Sequence, residues 1–223
     1  MTQRPQVGYI VKSFTIPMRK IAEPTVRRLS LYLRFLEEFA EGGTLTVSSE
    51  ELAHRGATTA AQVRKDLSLF GSFGKRGLGY AVPELAARLR DILGLERDHA
   101  VAVIGAGKVG RALAQYGGFA SRGFRVRWVY DADPDKVGTA WDGLRVRDVR
   151  QIQTDFPGSA PDIAILATPA DAAQLVADQL VNLGVKAILN FAPVHLAVPD
   201  DVAVKNVNMA IELEALSYAL RHR

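Results

Sequence analysis

The sequence predicts two domains of different class, an N-terminal winged helix-turn-helix, mainly α, and a C-terminal α/β domain of the Rossmann type. Three observations predict them. Residues 24–70 carry apolar side chains at helical spacing, interrupted by two short capping signals. A basic, glycine-punctuated stretch, GSFGKRGLGY, follows at 71–80. From His99, HAVAVIGAGKVGRALAQY joins an apolar run to GxGxxG spacing and then to a helical pattern.

A chain of 223 residues can fill two compact cores without disulfides or metals. It has no cysteine, which removes disulfides, thiolate zinc ligands and thiol redox chemistry; any redox sensing must pass through a bound ligand. No apolar run approaches the roughly 20 residues that cross a bilayer, and GYIVKSF near the start is too short and interrupted for a signal-peptide core. These features predict a cytoplasmic protein. The net charge of +4 sits wholly in residues 1–98, with 15 Lys/Arg against 11 Asp/Glu, while residues 99–223 carry 13 of each. A basic domain beside a neutral one suits a polyanion partner for the first.

Residues 1–21 carry Arg4, Lys12, Arg19 and Lys20 with little periodicity and read as a basic arm or a solvated tail. The winged-helix domain is assigned to 22–98. Pro24 suits a first helical turn, and Leu29, Leu33, Leu36 and Phe39 keep helical spacing until Gly42-Gly43. After an extended TLTV, Ser48 with Glu51 forms a capping box that opens a short helix to about His54, closed by Gly56. Thr59 with Gln62 forms a second capping box and opens the reading helix, 59–70. Val63, Leu67 and Phe70 fall on its core side, leaving Ala61, Gln62, Arg64, Lys65 and Ser68 directed outward. That face suits a major groove: Gln62 can pair with adenine, Lys65 with guanine or phosphate, and Ser68 with either. The loop 71–80 reads as a hairpin wing with Lys75 and Arg76 near its tip. PELAARLRDIL at 83–93 forms one more helix before the boundary.

The second domain is assigned to 99–223. Gly105 permits the strand-to-helix turn, Gly107 lets the backbone approach a pyrophosphate, and Gly110 lets the helix pack closely; Ala106, Lys108 and Val109 complete the loop. FRVRWVYD ends at Asp131, 21 positions beyond Gly110, where a carboxylate would accept ribose hydroxyls and repel a 2′-phosphate, favouring NAD over NADP. The strands DIAILAT, VKAILNF and VAVKNV alternate with helices near 170–183 and 209–221, as in a parallel sheet covered on both faces. Loops at the carboxyl ends of such strands place Thr168, Pro169, Asn190, Phe191, Ala192 and Pro193 beside a dinucleotide.

The nucleotide fold consumes the whole second domain and leaves no substrate compartment, so an NAD-dependent dehydrogenase with a helical N-terminal domain is the alternative rather than the first reading. Of the four histidines only His195 could approach the crevice, and no catalytic set or metal cluster is apparent; the sequence predicts no enzyme and no metal. Met209, Leu213, Leu216 and Leu220 form a stripe on the last helix that packs either within its own domain or on a second subunit.

SSEELA, QVRKDLSLFGSFGKRGLGYAV, VIGAGKVGRALAQYGGF, YDADPDKVG and ILNFAPVHL closely resemble the Rex family of redox-sensing transcriptional repressors, from about residue 22 onward. The resemblance implies a homodimer whose winged helices grip an inverted-repeat operator in double-stranded DNA and whose final helices are exchanged between subunits. It implies release from DNA on binding NADH, with NAD⁺ bound more weakly, and derepression of genes of NADH reoxidation. It carries over the recognition helix 59–70, the wing 71–80 and the cofactor residues above. Family members often have an acid where Asn208 stands here, in a state-dependent pairing that matches Arg34 and Tyr116. Asn208 can hydrogen-bond to either but cannot form an ion pair. An apolar pocket involving Phe191 and Met209 would disfavour the cationic nicotinamide of NAD⁺ through desolvation.

Overall fold

The computed structural model describes residues 21–74, 78–156 and 158–222. Residues 1–20 of the arm, and Lys75 and Arg76 of the expected wing tip, lie outside them. The chain divides into two compact units between Glu96 and Arg97.

In the first unit, α1 (Glu23–Glu41) opens with a proline in its first turn and buries Leu29, Tyr32, Leu33 and Leu36. Each fully buried Leu contributes about 1.5–3 kcal/mol. The strand β1 (Thr46–Val47) leads into α2 (Ser49–Arg55), where the capping box is complete: the Ser48 hydroxyl accepts from Glu51 N at 3.1 Å and Glu51 Oε2 accepts from Ser48 N at 2.7 Å. After a tight turn comes α3 (Ala60–Ser68), with Val63 and Leu67 in the core. Here only half of the expected box forms. Thr59 Oγ1 accepts from Gln62 N at 3.1 Å, but the Gln62 side chain turns to Asp66 instead of returning to Thr59. The strand β2 (Tyr80–Ala81) pairs antiparallel with β1, and α4 (Val82–Ile92) packs Leu85 and Leu89 into the same core. The strand partner of β2 is thus β1, and within the expected wing Gly74 lies close against Gly79, a Cβ there falling 2.5 Å from the Gly79 oxygen.

Between α2 and α3, Ala57 sits at φ 47° and is exposed. A left-handed L-residue costs about 1–2 kcal/mol. Ala57→Gly removes that strain at a smaller entropic cost, so urea unfolding should show a gain of about 0.5–1 kcal/mol. A loss would mean that the alanine methyl contributes to the turn.

The second unit is a seven-stranded sheet among the described residues. It comprises β3 (His99–Ile104), α5 (Lys108–Ala114), α6 (Gly117–Ala120), β4 (Phe124–Asp131), β5 (Ala140–Trp141) and β6 (Leu144–Asp148). A 3-10 turn then leads to α7 (Ile152–Asp155), β7 (Ile163–Leu166), α8 (Ala170–Asn182), β8 (Ala187–Asn190), β9 (Ala203–Asn206) and α9 (Met209–Arg221). The strand order is β5-β6-β4-β3-β7-β8-β9, parallel except for β5. Alternation along β3 sends Val101 and Val103 into one core, with Val129 and Ile165, and Ala102 and Ile104 into the other, with Leu166 and Leu180. Each face is thereby covered, as a parallel sheet requires. The order reverses at β3, so the crevice opens at the carboxyl ends of β3 and β7.

Candidate functional site

The crevice of the second unit is a cavity of about 850 Å³, within the range of small-molecule sites. Its floor is the glycine turn. Gly105 has φ 103°, and a Cβ there would lie 2.4 Å from the Ala167 carbonyl oxygen. At Gly110 a Cβ would lie 1.7 Å from the Gly105 oxygen, so the turn closes only with glycine at both positions. Gly107 differs: its φ is −73°, and a Cβ there would meet nothing within 4 Å. That position faces open crevice.

Asp131, at the end of β4, is held by the turn itself. Its Oδ2 accepts from Ala106 N at 2.6 Å and its Oδ1 from Asp133 N at 2.8 Å. Lys136 stands 3.4 Å from Asp131 and 3.1 Å from Asp133, its ammonium held above the ordinary lysine range chiefly by the hydrogen bond to Asp133. Lys136 escaped the sequence reading, although it lies in the quoted YDADPDKVG. The carboxylate thus keeps less free capacity than two ribose hydroxyls would use. Arg125, earlier on β4, pairs with Asp98 at 2.9 Å and is occupied there.

Thr168 Oγ1 is buried without a hydrogen-bond partner among the described residues. Such a hydroxyl costs on the order of 1–3 kcal/mol unless something supplies a partner. Together with the opening at Gly107, it fits a polar ligand lying across the glycine turn. Pro169, Phe191, Pro193, Val109 and Met209 give the rest of the wall its apolar character. Ala106, Lys108, Gly110, Asn190 and Ala192 do not line the cavity. Asn190 is fully buried and works as a brace: its amide donates to Val194 O and Asn206 Oδ1, both at 2.8 Å, and its Oδ1 accepts from Ala192 N at 3.0 Å. It shapes the loop that presents Phe191 and Pro193. His195 is exposed and is not part of the wall.

Asn208 lines the cavity and caps α9, accepting from Ala210 N at 3.0 Å. Tyr116 is exposed and meets Phe119 edge-on at 5.0 Å. In the first unit, Arg34 pairs with Glu38 at 3.8 Å.

On α3, Ala61, Arg64, Lys65 and Ser68 are exposed and Gln62 is half-buried. The Arg64 guanidinium is tied back to α2, donating to Ser49 Oγ at 2.8 Å and Glu50 Oε1 at 3.3 Å. Ser68 Oγ donates to Lys65 O at 2.8 Å, so its hydroxyl faces outward as an acceptor. Lys65 makes no ion pair among the described residues and is the least encumbered cation of this face. Beneath it lies Asp66, 1% exposed, which accepts from Arg28, Tyr32 and Gln62. Burial raises its carboxyl, but those hydrogen bonds prevail and hold it below the ordinary carboxylate range. The same surroundings push the Tyr32 hydroxyl up to about 12, through burial first and the Asp66 charge second. A lone acid among the basic residues of the reading helix was the available signal for Asp66.

Residues 96–194 match the family described as CoA binding domain, and residues 20–68 the family described as putative DNA-binding protein N-terminus. The chain is 48% identical over 200 residues to the redox-sensing transcriptional repressor Rex of Streptomyces avermitilis, covering 90% of this chain and 79% of that one. It is 47% identical over 201 residues to the Rex of Thermus thermophilus, covering 90% and 94%. Among solved structures, it is similar to RSP, a Rex-family repressor, in complex with β-NAD⁺ and operator DNA, at a TM-score of 0.86 and 40% identity over 91% of this chain and 93% of that one. The structure of RSP with β-NADH aligns at 0.82 and 38% identity, over 92% and 96%.

Proposed function

The chain belongs to the Rex family of redox-sensing transcriptional repressors, and from that premise we propose how its own residues couple nicotinamide binding to operator binding. It is a repressor and not a dehydrogenase. Residues 22–98 form the DNA-binding part and residues 99–223 the part that binds the dinucleotide and pairs the subunits. The protein works in the cytoplasm, where promoter DNA and the nicotinamide pool meet; no helix of the described residues is long and apolar enough to cross a membrane.

One observation carries the coupling: α9 begins in the wall of the crevice. Asn208, Met209 and Ala210 line the cavity, while Ile211, Leu213, Leu216, Tyr218 and Leu220 along the same helix are all exposed. So large an apolar surface needs a cover, and a second copy of the helix region supplies it in a two-fold dimer. The ligand wall and the pairing surface are then one rigid element. The reduced ring is neutral and the oxidised ring cationic, so a wall containing Phe191, Pro193 and Met209 favours NADH over NAD⁺ by desolvation. Gly107 leaves room for the pyrophosphate, Thr168 Oγ1 offers a free hydroxyl, and Asp131 faces the ribose. A shift of α9 changes the separation of the paired reading helices, which must match successive major grooves about 34 Å apart, or a multiple of it. Arg34, Tyr116 and Asn208 are the candidates for the contact that differs between the two states, with Asn208 limited to neutral hydrogen bonds.

On the duplex, Lys65 meets a phosphate or a guanine edge, Thr59, Gln62, Arg64 and Ser68 complete the helix face, and Lys75 and Arg76 reach from the wing. Lys65→Ala should weaken binding to an inverted-repeat duplex and lower the log–log salt slope by about one per subunit. Titration calorimetry should find its NADH affinity unchanged. An unaltered salt slope, or joint loss of NADH binding, would contradict the assignment of Lys65 to DNA alone.

A further inference from the structure

Of the three charged side chains of α3, Arg64 and Lys65 are exposed and Asp66 is buried. Arg28 reaches Asp66 from α1 with two hydrogen bonds, Nε to Oδ2 at 2.6 Å and Nη2 to Oδ1 at 2.7 Å. The Tyr32 hydroxyl donates to Oδ2 at 3.1 Å, and Gln62 Nε2 donates to Oδ1 at 2.8 Å. An ionised carboxylate only accepts. A glutamine amide has a donor end and an acceptor end that exchange places by rotation, and at an exposed site both orientations are populated. Beside Asp66 one orientation is excluded, because the reversed amide would set Gln62 Oε1 against Asp66 Oδ1, oxygen against oxygen, at a buried charge. The amide nitrogen must face inward. The carbonyl oxygen and the second N–H are left for whatever approaches α3, and only the carbonyl oxygen has its place fixed against reversal.

Gln62 stands in the first turn of α3, the part of a reading helix that reaches base edges, and it is half-buried, with its outer side accessible. We infer that Asp66 is a positioning residue for base recognition: it locks the Gln62 amide so that Gln62 offers the duplex a hydrogen-bond acceptor. At one step of each half-site the protein therefore selects adenine, whose major-groove N6 amine donates to that oxygen while its N7 accepts the second N–H, over thymine or guanine, whose O4 or O6 would be set against it. The inference rests on the reading of α3 as the DNA-binding helix. The sequence named only a pairing of Gln62 with adenine; the buried acid fixes which end of the amide meets the base.

The test is competition binding of the full chain to inverted-repeat duplexes in which each half-site step is changed in turn. The wild type should favour adenine about tenfold at one step. Gln62→Leu should erase that preference and leave the others. Asp66→Asn keeps the shape but no longer excludes the reversed amide, so it should erase the same preference, with no further change in the double variant. A Gln62→Leu protein with every preference intact overturns the inference, as does a folded Asp66→Asn protein that only loses affinity uniformly. Should Asp66→Asn not fold, side-chain amide exchange in the wild type decides. The Gln62 amide protons, assigned by their absence in Gln62→Leu, should exchange far more slowly than those of exposed Gln153, and equal rates overturn the lock. Failure of the wild type to bind any such duplex would strike the DNA-binding reading itself.

Discussion

Gly107→Val should leave the protein folded and able to hold operator DNA while lowering its NADH affinity by at least about a hundredfold, near 2.7 kcal/mol. The three fingerprint glycines predict different outcomes because their surroundings differ. At Gly110 a Cβ would sit 1.7 Å from the Gly105 oxygen, and at Gly105 it would sit 2.4 Å from the Ala167 oxygen, so substitutions there break the turn before any ligand arrives. At Gly107 the backbone is at φ −73° and a Cβ meets nothing within 4 Å, so the folded chain accepts a side chain. The penalty falls on what enters the crevice. A valine there keeps an anion from the backbone N–H groups of the turn, and hydrogen bonds to charged groups are worth about 1.5–3 kcal/mol each. Calorimetry measures the lost affinity, and unchanged thermal unfolding shows that the fold is kept. The repressor function then becomes blind to the nicotinamide pool. Normal NADH binding by this variant would move the pyrophosphate away from Gly107.

Asp66→Ala should destabilise the first unit by about 3 kcal/mol, the low end of the range for removing one partner of a buried ion pair. The low end applies because the Arg28 side chain is 26% exposed and can regain water, whereas Asp66 cannot. Tyr32 and Gln62 lose their acceptor as well. The sign of the pH dependence follows from the direction of the carboxyl shift. Burial raises the Asp66 carboxyl, hydrogen bonds from Arg28, Gln62 and Tyr32 outweigh that rise, and the folded value ends below the unfolded one. Its contribution is therefore complete above the unfolded value, about 3.9, and is lost as pH falls through the folded value. Urea unfolding followed by helical circular dichroism should show the wild-type advantage intact near neutrality and shrinking below about pH 4. An advantage that does not change with pH would mean that the charge of Asp66 is not what holds α1 to α3.

Local signals carried most of the fold. The helical spacing of Leu29, Leu33 and Leu36, the Ser48 and Glu51 box, and the strand that ends in Gly105 each lie within a few residues, and each forms as its pattern implies. What depended on distant partners was harder to read. Tyr80–Ala81 pairs with Thr46–Val47, a helix-turn-helix away in sequence, and no local pattern could reveal that partner. The β5–β6 hairpin did carry a local signal, Asp142-Gly143, both at positive φ, which suits a tight reversal. It was missed among longer apolar runs. At the site, the positions of the glycines, Asp131 and Thr168 follow from strand ends. The end of β8 likewise places Asn190 near the crevice, but its hydrogen bonds to Val194, Asn206 and Ala192 depend on partners that no local pattern names. Helical geometry gives the face on which Gln62 lies, but not that a buried acid one turn away, Asp66, holds its amide nitrogen.

In the proposed function, reduced dinucleotide in the crevice acts through the helix that starts at Met209 to remove the paired reading helices from DNA. Turning a two-state population from 1:99 to 99:1 requires about 5.5 kcal/mol of differential binding, so the effect must be steep in the reduced form and weak in the oxidised one. Fluorescence anisotropy of a labelled inverted-repeat duplex bound by the full chain, titrated separately with NADH and NAD⁺, measures this directly. NADH should return the anisotropy to that of free duplex at concentrations where NAD⁺ leaves the complex in place. A duplex that stays bound at saturating NADH, or that is released equally by both forms, would mean that the reduced dinucleotide does not control the grip on DNA.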